Sequence, residues 1–516
     1  MPIYNLGALN TAALTAPDVY IQKVTPQTRF INGVPTDILG LVGAGSWGPV
    51  NSPVLAVGDT FGPVTFRKYD LATAILISSQ VGANNVRAVR VTDGTDAAAT
   101  ATLLDGSSAT GATLTAYYTG VVGNTLSAIV GSGTKASTTK VTINRPGYAS
   151  EVYDNISGSG ATLWANIVSA INSGQTGLRP PSQLCVATVG SSTAAPASGS
   201  RSFSGGADGA GSVSDSTVVG ADATLPSSRT GMYALRGSGV QVANLIDLTD
   251  NTQWSNIATF ADSEGVYIPL PGASGQNYST VSSNLSSAGV DTPSVKPLVG
   301  DWVYWQDTVN GVLRLMSPAT FCAAEIAALA PHLSTLNKQL PAVVGTQRNS
   351  QNQPYTTAEI GAIAQARLDV VANPCPGGPY YGFRTGRNGS SDPTRNGDNY
   401  TRMTNFLALT FAGAFGFAIG QPQTVSLRRQ VKAAFDSFLW NLADPTRSGG
   451  PMIGDVNGGP PFSVEIDKNN NPDARVALGY MQADVQVKYL SIVWFFLVNL
   501  EGGQTVSVRL VGQQAA

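Results

Sequence analysis

The stretch from Asp473 to Val511 limits most what this chain can fold into. From Met481 to Tyr489 the residues alternate, with Val485, Val487 and Tyr489 on one face and Asp484, Gln486 and Lys488 on the other. A period of two is that of a half-buried strand. Ser491 to Leu500 then reads as one apolar run. It is expected to be buried, as strand or as helix, and periodicity does not separate the two. A break follows at Glu501, Gly502 and Gly503, and then a second alternating run. Val506, Val508 and Leu510 point one way and Thr505, Ser507 and Arg509 the other. A strand behind a diglycine hinge has two outlets. It pairs inside its own subunit, or it lends its backbone N–H and C=O groups to the open edge of a neighbour's sheet. The N-terminal region offers a matching piece at residues 17–24, where Val19 and Ile21 alternate with Tyr20 and Gln22, Val24 follows, and Pro26 closes the run. The same two outlets apply to it.

Composition narrows the class. At 516 residues the chain holds about three domains by length alone. Charged residues are 12% of the total, about half the usual ~25%, so Ser, Thr, Asn, Gln and Gly must supply the polar surface. The net charge of −2 comes with no cluster of Lys and Arg, and nothing offers the several phosphate contacts a nucleic-acid groove needs. A neutral polar surface with little net charge suits packing against copies of the same chain. Cys185, Cys322 and Cys375 are an odd count without metal-ligand spacing, so neither a disulfide framework nor a zinc site is expected. The start lacks a charged region followed by an apolar one, so no secretory leader is expected. The apolar runs 406–419 and 491–500 fall short of the ~20 residues of a spanning helix. They are read as core segments, with no membrane insertion.

Along the chain, Ile38–Val42 reads as a buried strand leading into Gly43-Ala-Gly45-Ser-Trp-Gly48. A dinucleotide site would require a helix to open there. Pro49 and Pro53 deny it, so a glycine turn leading to a strand at 54–57 is expected. A helix over 69–80 stopped by Gly82, and a strand over 85–91, complete the first unit. Residues 93–200, rich in Thr, Ser, Gly and Ala, read as an inserted β-rich domain with strands near 112–118, 127–130 and 140–143 and one helix over 161–172. Residues 201–386 alternate strands and helices and read as an inserted α/β domain. Two long helices, 403–419 and 425–442, precede the closing strands. The fold class is therefore α/β in the mixed α+β sense, multi-domain and nested. An arm (1–24) precedes a core module made of 25–92 and 387–516, which ends in the C-terminal strand 504–511. This nesting requires the strands near the two ends to share a sheet.

The order of several motifs resembles the tail sheath protein family of contractile bacteriophages and related injection machines. They are Pro17-Asp-Val-Tyr-Ile-Gln-Lys-Val24, the stretch from Gly33 through V-G-A-G-S-W-G-P-V, and Gly82-Ala with Ala88-Val-Arg-Val91. They continue with G-V-V-G-N-T-L-S at 120–127, G-G-A-D-G at 205–209, Asp301-Trp302 with Ser317-Pro318, and Arg402 with Asn405-Phe406. Asp18 stands where the family has glycine, and 448–461 has no counterpart in it. The resemblance implies a structural protein that polymerises as stacked hexameric rings in a helical lattice around an inner tail tube protein. Exchanged strands at Val19, Tyr20, Ile21, Val24 and Thr505 to Leu510 would stitch the rings, with Glu501, Gly502 and Gly503 as linker. It also implies baseplate and tail terminator partners, residence in the virion tail after assembly in the host cytoplasm, and no cofactor.

Two other classes compete with this one. An α/β hydrolase would depend on His332, the one histidine of the chain, for any Ser-His or Cys-His pair, and no G-x-S-x-G occurs. His332 reads as a helix-terminal or surface residue, Cys322 as a small buried hydrophobe, and Asp369 with Glu359 and Asp262 with Glu264 as solvated faces. No catalytic residue is assigned. Asp467 to Asp473 spaces oxygen ligands like a calcium loop, but Pro472 and Leu478 stand where glycine and glutamate are needed, so an Asn-rich turn is expected and no metal. A secreted surface-layer or adhesive protein would call for an export signal and calcium.

Overall fold

The computed structural model describes residues 31–57, 60–64, 67–177 and 179–500, with 502, 504 and the backbone of two short N-terminal strands. Those strands, β1 (Ile3–Tyr4) and β2 (Ile21–Gln22), pair in parallel with Ile3 opposite Ile21.

The core begins at β3 (Ile38–Ala44), all seven residues of which are buried. That is the condition of a parallel strand covered on both faces. The glycine stretch after it opens no helix and leads to the short strand β4 (Val54–Leu55). Helix α1 (Leu71–Val81) starts where the Asp70 carboxylate accepts from the Thr73 N–H, and it stops at Gly82 with φ +111°, a left-handed turn that glycine takes without strain. Strand β5 (Asn85–Val91) runs parallel to β3 and antiparallel to β4. Its buried Arg90 donates to the carbonyls of Gly48, Thr119 and Asp208 at 3.0, 2.6 and 3.0 Å. One side chain thus fixes the core to the domain that follows.

That domain is a small sandwich. Strands β6 (Ala98–Leu104), β7 (Thr110–Thr119), β8 (Ser127–Ser132), β9 (Thr139–Asn144) and β10 (Glu151–Ile156) precede helix α2 (Gly160–Ser173), and β11 (Cys185–Val189) and β12 (Gly199–Ser202) follow it. They form two sheets, β11-β7-β6 and β10-β9-β8-β12, with antiparallel pairing throughout. The helix buries Trp164 and Ile167 in the shared core.

After helix α3 (Asp215–Val219) the chain returns to the first sheet. Strand β13 (Val242–Leu245) pairs in parallel with β3, Val242 opposite Leu39. Helix α4 (Trp254–Glu264) leads to β14 (Ile268–Pro271), tied to β13 by hydrogen bonds of Tyr267 with Gln241 and Ala243. Helix α5 (Tyr278–Ser287) leads to β15 (Val295–Leu298), parallel to β14. Asp369 then bridges to Leu298 in parallel. The order β4-β5-β3-β13-β14-β15 makes a doubly wound sheet with β4 as its antiparallel edge. Strands β16 (Val303–Asp307) and β17 (Val312–Met316), helix α6 (Pro318–Ala328) and strand β18 (Val343–Thr346) come next, with β17-β16-β18 forming a separate sheet. Short helix α7 (Gln347–Ser350), helix α8 (Thr357–Gln365) and the pair β19 (Val371–Ala372) with β20 (Gly382–Phe383) follow. Helices α9 (Asp398–Ala414) and α10 (Val425–Ala443) pack with strand β21 (Phe462–Glu465) and strand β22 (Asp484–Val487), which pair across the five-residue helix α11 (Asp473–Ala477). Ile31 and Val34 pack into this last core.

Three expectations differ from the structure. The sheet containing β3 continues through β13 to β15, so it joins residues 38–91 to 242–298. The described strands of 387–500 pair with one another instead. Residues 491–500, expected to be buried, form neither strand nor helix; Ile492 and Trp494 are half-buried and the rest stand exposed, with Phe495 at 87%, Phe496 at 86% and Leu500 at 90%. Among the described residues, none of the four hydrophobic cores includes a side chain from 491–500. Asp369, read as solvated, is fully buried, because the bridge to Leu298 places it inside the sheet.

Candidate assembly surface

Of the residues assigned to strand exchange, Val19, Tyr20, Val24, Thr505, Val506, Ser507, Val508, Arg509 and Leu510 lie outside the described residues, as do Glu501 and Gly503 of the linker. Ile21 is in β2 opposite Ile3. Gly502 is exposed, and a Cβ added there would meet nothing within 4 Å.

The place where the C-terminal segment leaves the body is well defined. Tyr489 shares a hydroxyl hydrogen bond with Thr404 at 3.2 Å and sets its ring edge-on to Tyr400. The Asn399 side-chain amide donates to the Leu490 carbonyl at 3.2 Å. Trp494 is the last anchor. Its indole N–H donates to the Thr385 carbonyl at 3.0 Å, and the Arg387 guanidinium lies 4.1 Å from its ring centroid, within cation–π range. Beyond Trp494 the apolar side chains have no cover. Beside this exit lies a groove of about 950 Å³, lined by Tyr400, Phe411 and Phe435 from the helices, Val485 and Val487 from β22, and Tyr489 just after it. Strands β21 and β22 make a two-stranded sheet, so each has one edge with no strand beside it among the described residues. Lys and charged groups are scarce on β22, where Asp484 is the single charge.

Under the exit sits a cluster that the sequence reading missed. Lys296, on β15, is fully buried, 2.7 Å from Asp369 Oδ2 and 2.9 Å from Asp398 Oδ1. Asp369 Oδ1 accepts the backbone N–H groups of Val370, Arg384 and Thr385 at 2.8, 3.1 and 2.8 Å, and its Oδ2 accepts that of Gly386 at 3.0 Å. Asp398 accepts from the hydroxyls of Tyr267, Ser334 and Thr335 at 2.6, 3.2 and 2.7 Å. Burial alone would lower the lysine pKa, and the two carboxylates more than reverse this, so it stays protonated. Burial would raise Asp398, and Lys296 with Tyr267 more than offsets that, so its pKa is lowered. The one signal in the sequence is a lysine inside the apolar run Val295-Lys-Pro-Leu298, which is unusual for a fully buried strand.

Glu325, on α6, is buried beside the cluster, and desolvation pushes its pKa up to about 8, with Lys296 opposing and Asp398 and Asp369 adding to the rise. A carboxyl raised from 4.5 when folded holds a proton that the unfolded chain has lost. Stability then falls as pH rises between about 4.5 and 8. Replacing Glu325 with Gln is expected to remove this slope, measured as urea midpoints at pH 5, 6.5 and 8. An unchanged slope would show that another group sets it.

His332 follows α6, half-buried, its pKa lowered by burial and by Arg447. Cys322 is fully buried and its thiol pKa is raised by desolvation, as for a core residue. In 467–473, Asp467 accepts the Asn469 N–H at 2.7 Å, and the Asn471 amide donates to the carbonyls of Asp467 and Gln482 at 3.1 and 2.9 Å. The Asn-rich turn uses its own oxygens. Among the described residues no helix is long and apolar enough to cross a membrane, and no three His, Cys, Asp or Glu side chains are grouped to hold a metal ion.

The fold, a doubly wound sheet, a β-sandwich inserted after β5 and a helical C-terminal unit, is similar to that of solved contractile sheath subunits. The chain superposes on the sheath tail protein of Listeria innocua with a TM-score of 0.55 at 13% identity, covering 86% of this chain and 90% of that one. The sheath tail protein of Desulfitobacterium hafniense gives 0.54 at 15%, covering 87% and 93%. The helical sheath of the anti-feeding prophage in its contracted state gives 0.51 at 10%, covering 95% and 99%. At these identities the likeness is one of fold. No family model matches the sequence, and no curated protein matches it.

Proposed function

We propose that this chain is the structural subunit of a contractile sheath. It polymerises as stacked hexameric rings around an inner tail tube, with baseplate and terminator proteins at the ends, and its rearrangement drives the tube through a host envelope. The observation that carries this reading is the exposed run beyond Trp494. Burying Phe495, Phe496, Leu497, Val498 and Leu500 in a neighbouring copy contributes about 1.5–3 kcal/mol per side chain, and a six-residue strand adds hydrogen bonds of roughly 0.5–1.5 kcal/mol each. Residues 501–504 span at most ~14 Å, so linked subunits rotate and slide while staying attached. Contraction is then rigid-body repacking of the modules in a non-closing lattice.

Electron microscopy of the purified protein tests this. Tubes with a cogwheel cross-section are expected, and monodisperse monomers at every concentration would sink it. Changing Phe495 and Phe496 together to Asp is expected to suppress tubes while the melting temperature of the monomer stays within about 2 °C, since surface substitutions cost little. Tubes of normal length from that variant would show that the run is not an assembly contact.

A further inference from the structure

The cluster around Lys296 has the arrangement of a reaction site as well as an ion pair. We propose that Lys296 and Asp369 condense, once per molecule and without a cofactor, into an internal isopeptide bond, with Asp398 as the proton acceptor. The inference stands independently of the sheath reading.

Geometry supplies each requirement. The Lys296 nitrogen is 2.7 Å from Asp369 Oδ2, so nucleophile and carboxyl are already in contact in a dry site. Three backbone N–H groups, from Val370, Arg384 and Thr385, converge on the other oxygen, Oδ1. Fixed donors on one oxygen are what a developing tetrahedral oxyanion needs. Asp398 lies 2.9 and 3.0 Å from the same nitrogen through its two oxygens, within reach for proton transfer. Phe383 flanks the nitrogen, its ring centroid 5.7 Å away, and Lys296, Asp369 and Phe383 are all at 0% exposure, which excludes the water that would reverse the reaction.

The step balances. The Lys296 ammonium passes one proton to Oδ2 of Asp369, and the free amine attacks Cγ of the resulting carboxylic acid, forming the C–N bond and placing negative charge on Oδ1, while Asp398 takes the second proton from the nitrogen. The C–Oδ2 bond then breaks. Oδ2 leaves as water, carrying two of the three ammonium protons, one of them relayed through Asp398, while the third stays on the amide nitrogen. One amide and one water replace one ammonium and one carboxylate, and no oxidant or co-reactant is needed. The ammonium is the resting form, so the reaction draws on a small neutral population. A single turnover over the life of the protein tolerates that. Because Leu298 and Asp369 are parallel neighbours in the sheet, the bond would tie adjacent strands and close the chain between 296 and 369 into a covalent ring, which stabilises by restricting the unfolded chain.

The test is the intact mass of the full-length protein under denaturing conditions, followed by digestion and fragmentation. The expected wild-type mass is lower than the sequence mass by one water, with a branched peptide joining the segments of Lys296 and Asp369. Lys296→Arg and Asp369→Ala are expected to show the full mass, and Asp398→Asn to slow or abolish the loss. Wild-type protein at full mass after prolonged incubation overturns the proposal without any variant. A water loss that maps elsewhere, such as a succinimide at Asp105-Gly106 or Asp208-Gly209, overturns it equally.

Discussion

Removing residues 1–23 is expected to give a folded, soluble monomer that forms no tubes at any concentration at which the full chain polymerises. The described cores begin at Ile31, and β3, β5, β13, β14 and β15 make their sheet without any residue before 38. The melting temperature should therefore stay near that of the full chain. Assembly is different under the proposed strand exchange, in which each lattice contact is modest against the entropy of association and the mesh would depend on two links per subunit. Losing one link from every copy removes a whole set of contacts from a non-closing array. Sedimentation and negative stain read the result. Tubes of normal length would mean that the N-terminal strand pairs within its own subunit, as β2 does with β1 over Ile21–Gln22, and that cohesion comes from the body.

The elements that sequence made legible are those whose signal is local. Helix α1 is bounded by Asp70 and Gly82, one capping side chain and one left-handed glycine, and it falls within two residues of its expected span. Strand β5 reads directly from its valines, and the sandwich strands from short alternating runs between turn residues. What stayed hidden was non-local. Nothing in Val242–Leu245 names β3, two hundred residues earlier, as its partner, so the first unit was assigned to the C-terminal strands instead of to the sheet it shares with β13. The run 491–500 shows the same limit in another form. Composition says that such a segment needs cover, and it does not say on which molecule the cover lies. Lys296 and Asp369 were unreadable for a third reason: a charged side chain is placed in solvent by default, and only the folded chain brings the two carboxylates to the one ammonium.

That cluster carries the largest expected effect on stability. Relative to the ion-paired form, before any condensation of Lys296 with Asp369, changing Lys296 to Met should destabilise the protein by about 3–5 kcal/mol, because it leaves Asp369 and Asp398 buried without the ammonium that pairs with both. In a chain whose total stability is on the order of 5–15 kcal/mol, much of it would be lost. Coupled to this, the double variant Lys296→Met with Asp398→Asn should recover part of the loss, since one uncompensated charge is removed while the hydroxyls of Ser334 and Thr335 keep a partner at that position. The comparison separates two origins of the effect. If buried charge is the cause, the double variant is more stable than the single one, as a double-mutant cycle reports. If the lysine acts through the packing of its aliphatic stem against Phe383, Met replaces most of that volume and the single variant should lose less than about 1.5 kcal/mol. Chemical denaturation of the monomer decides between them. The position of the cluster gives the result a bearing on assembly, because Asp398 begins α9, whose Asn399 holds Leu490, while Thr385 and Arg387, beside the backbone donors of Asp369, hold Trp494. A weakened cluster should therefore loosen the anchor from which the exposed segment departs, and tubes of the single variant, where they form, should be shorter than those of the double variant.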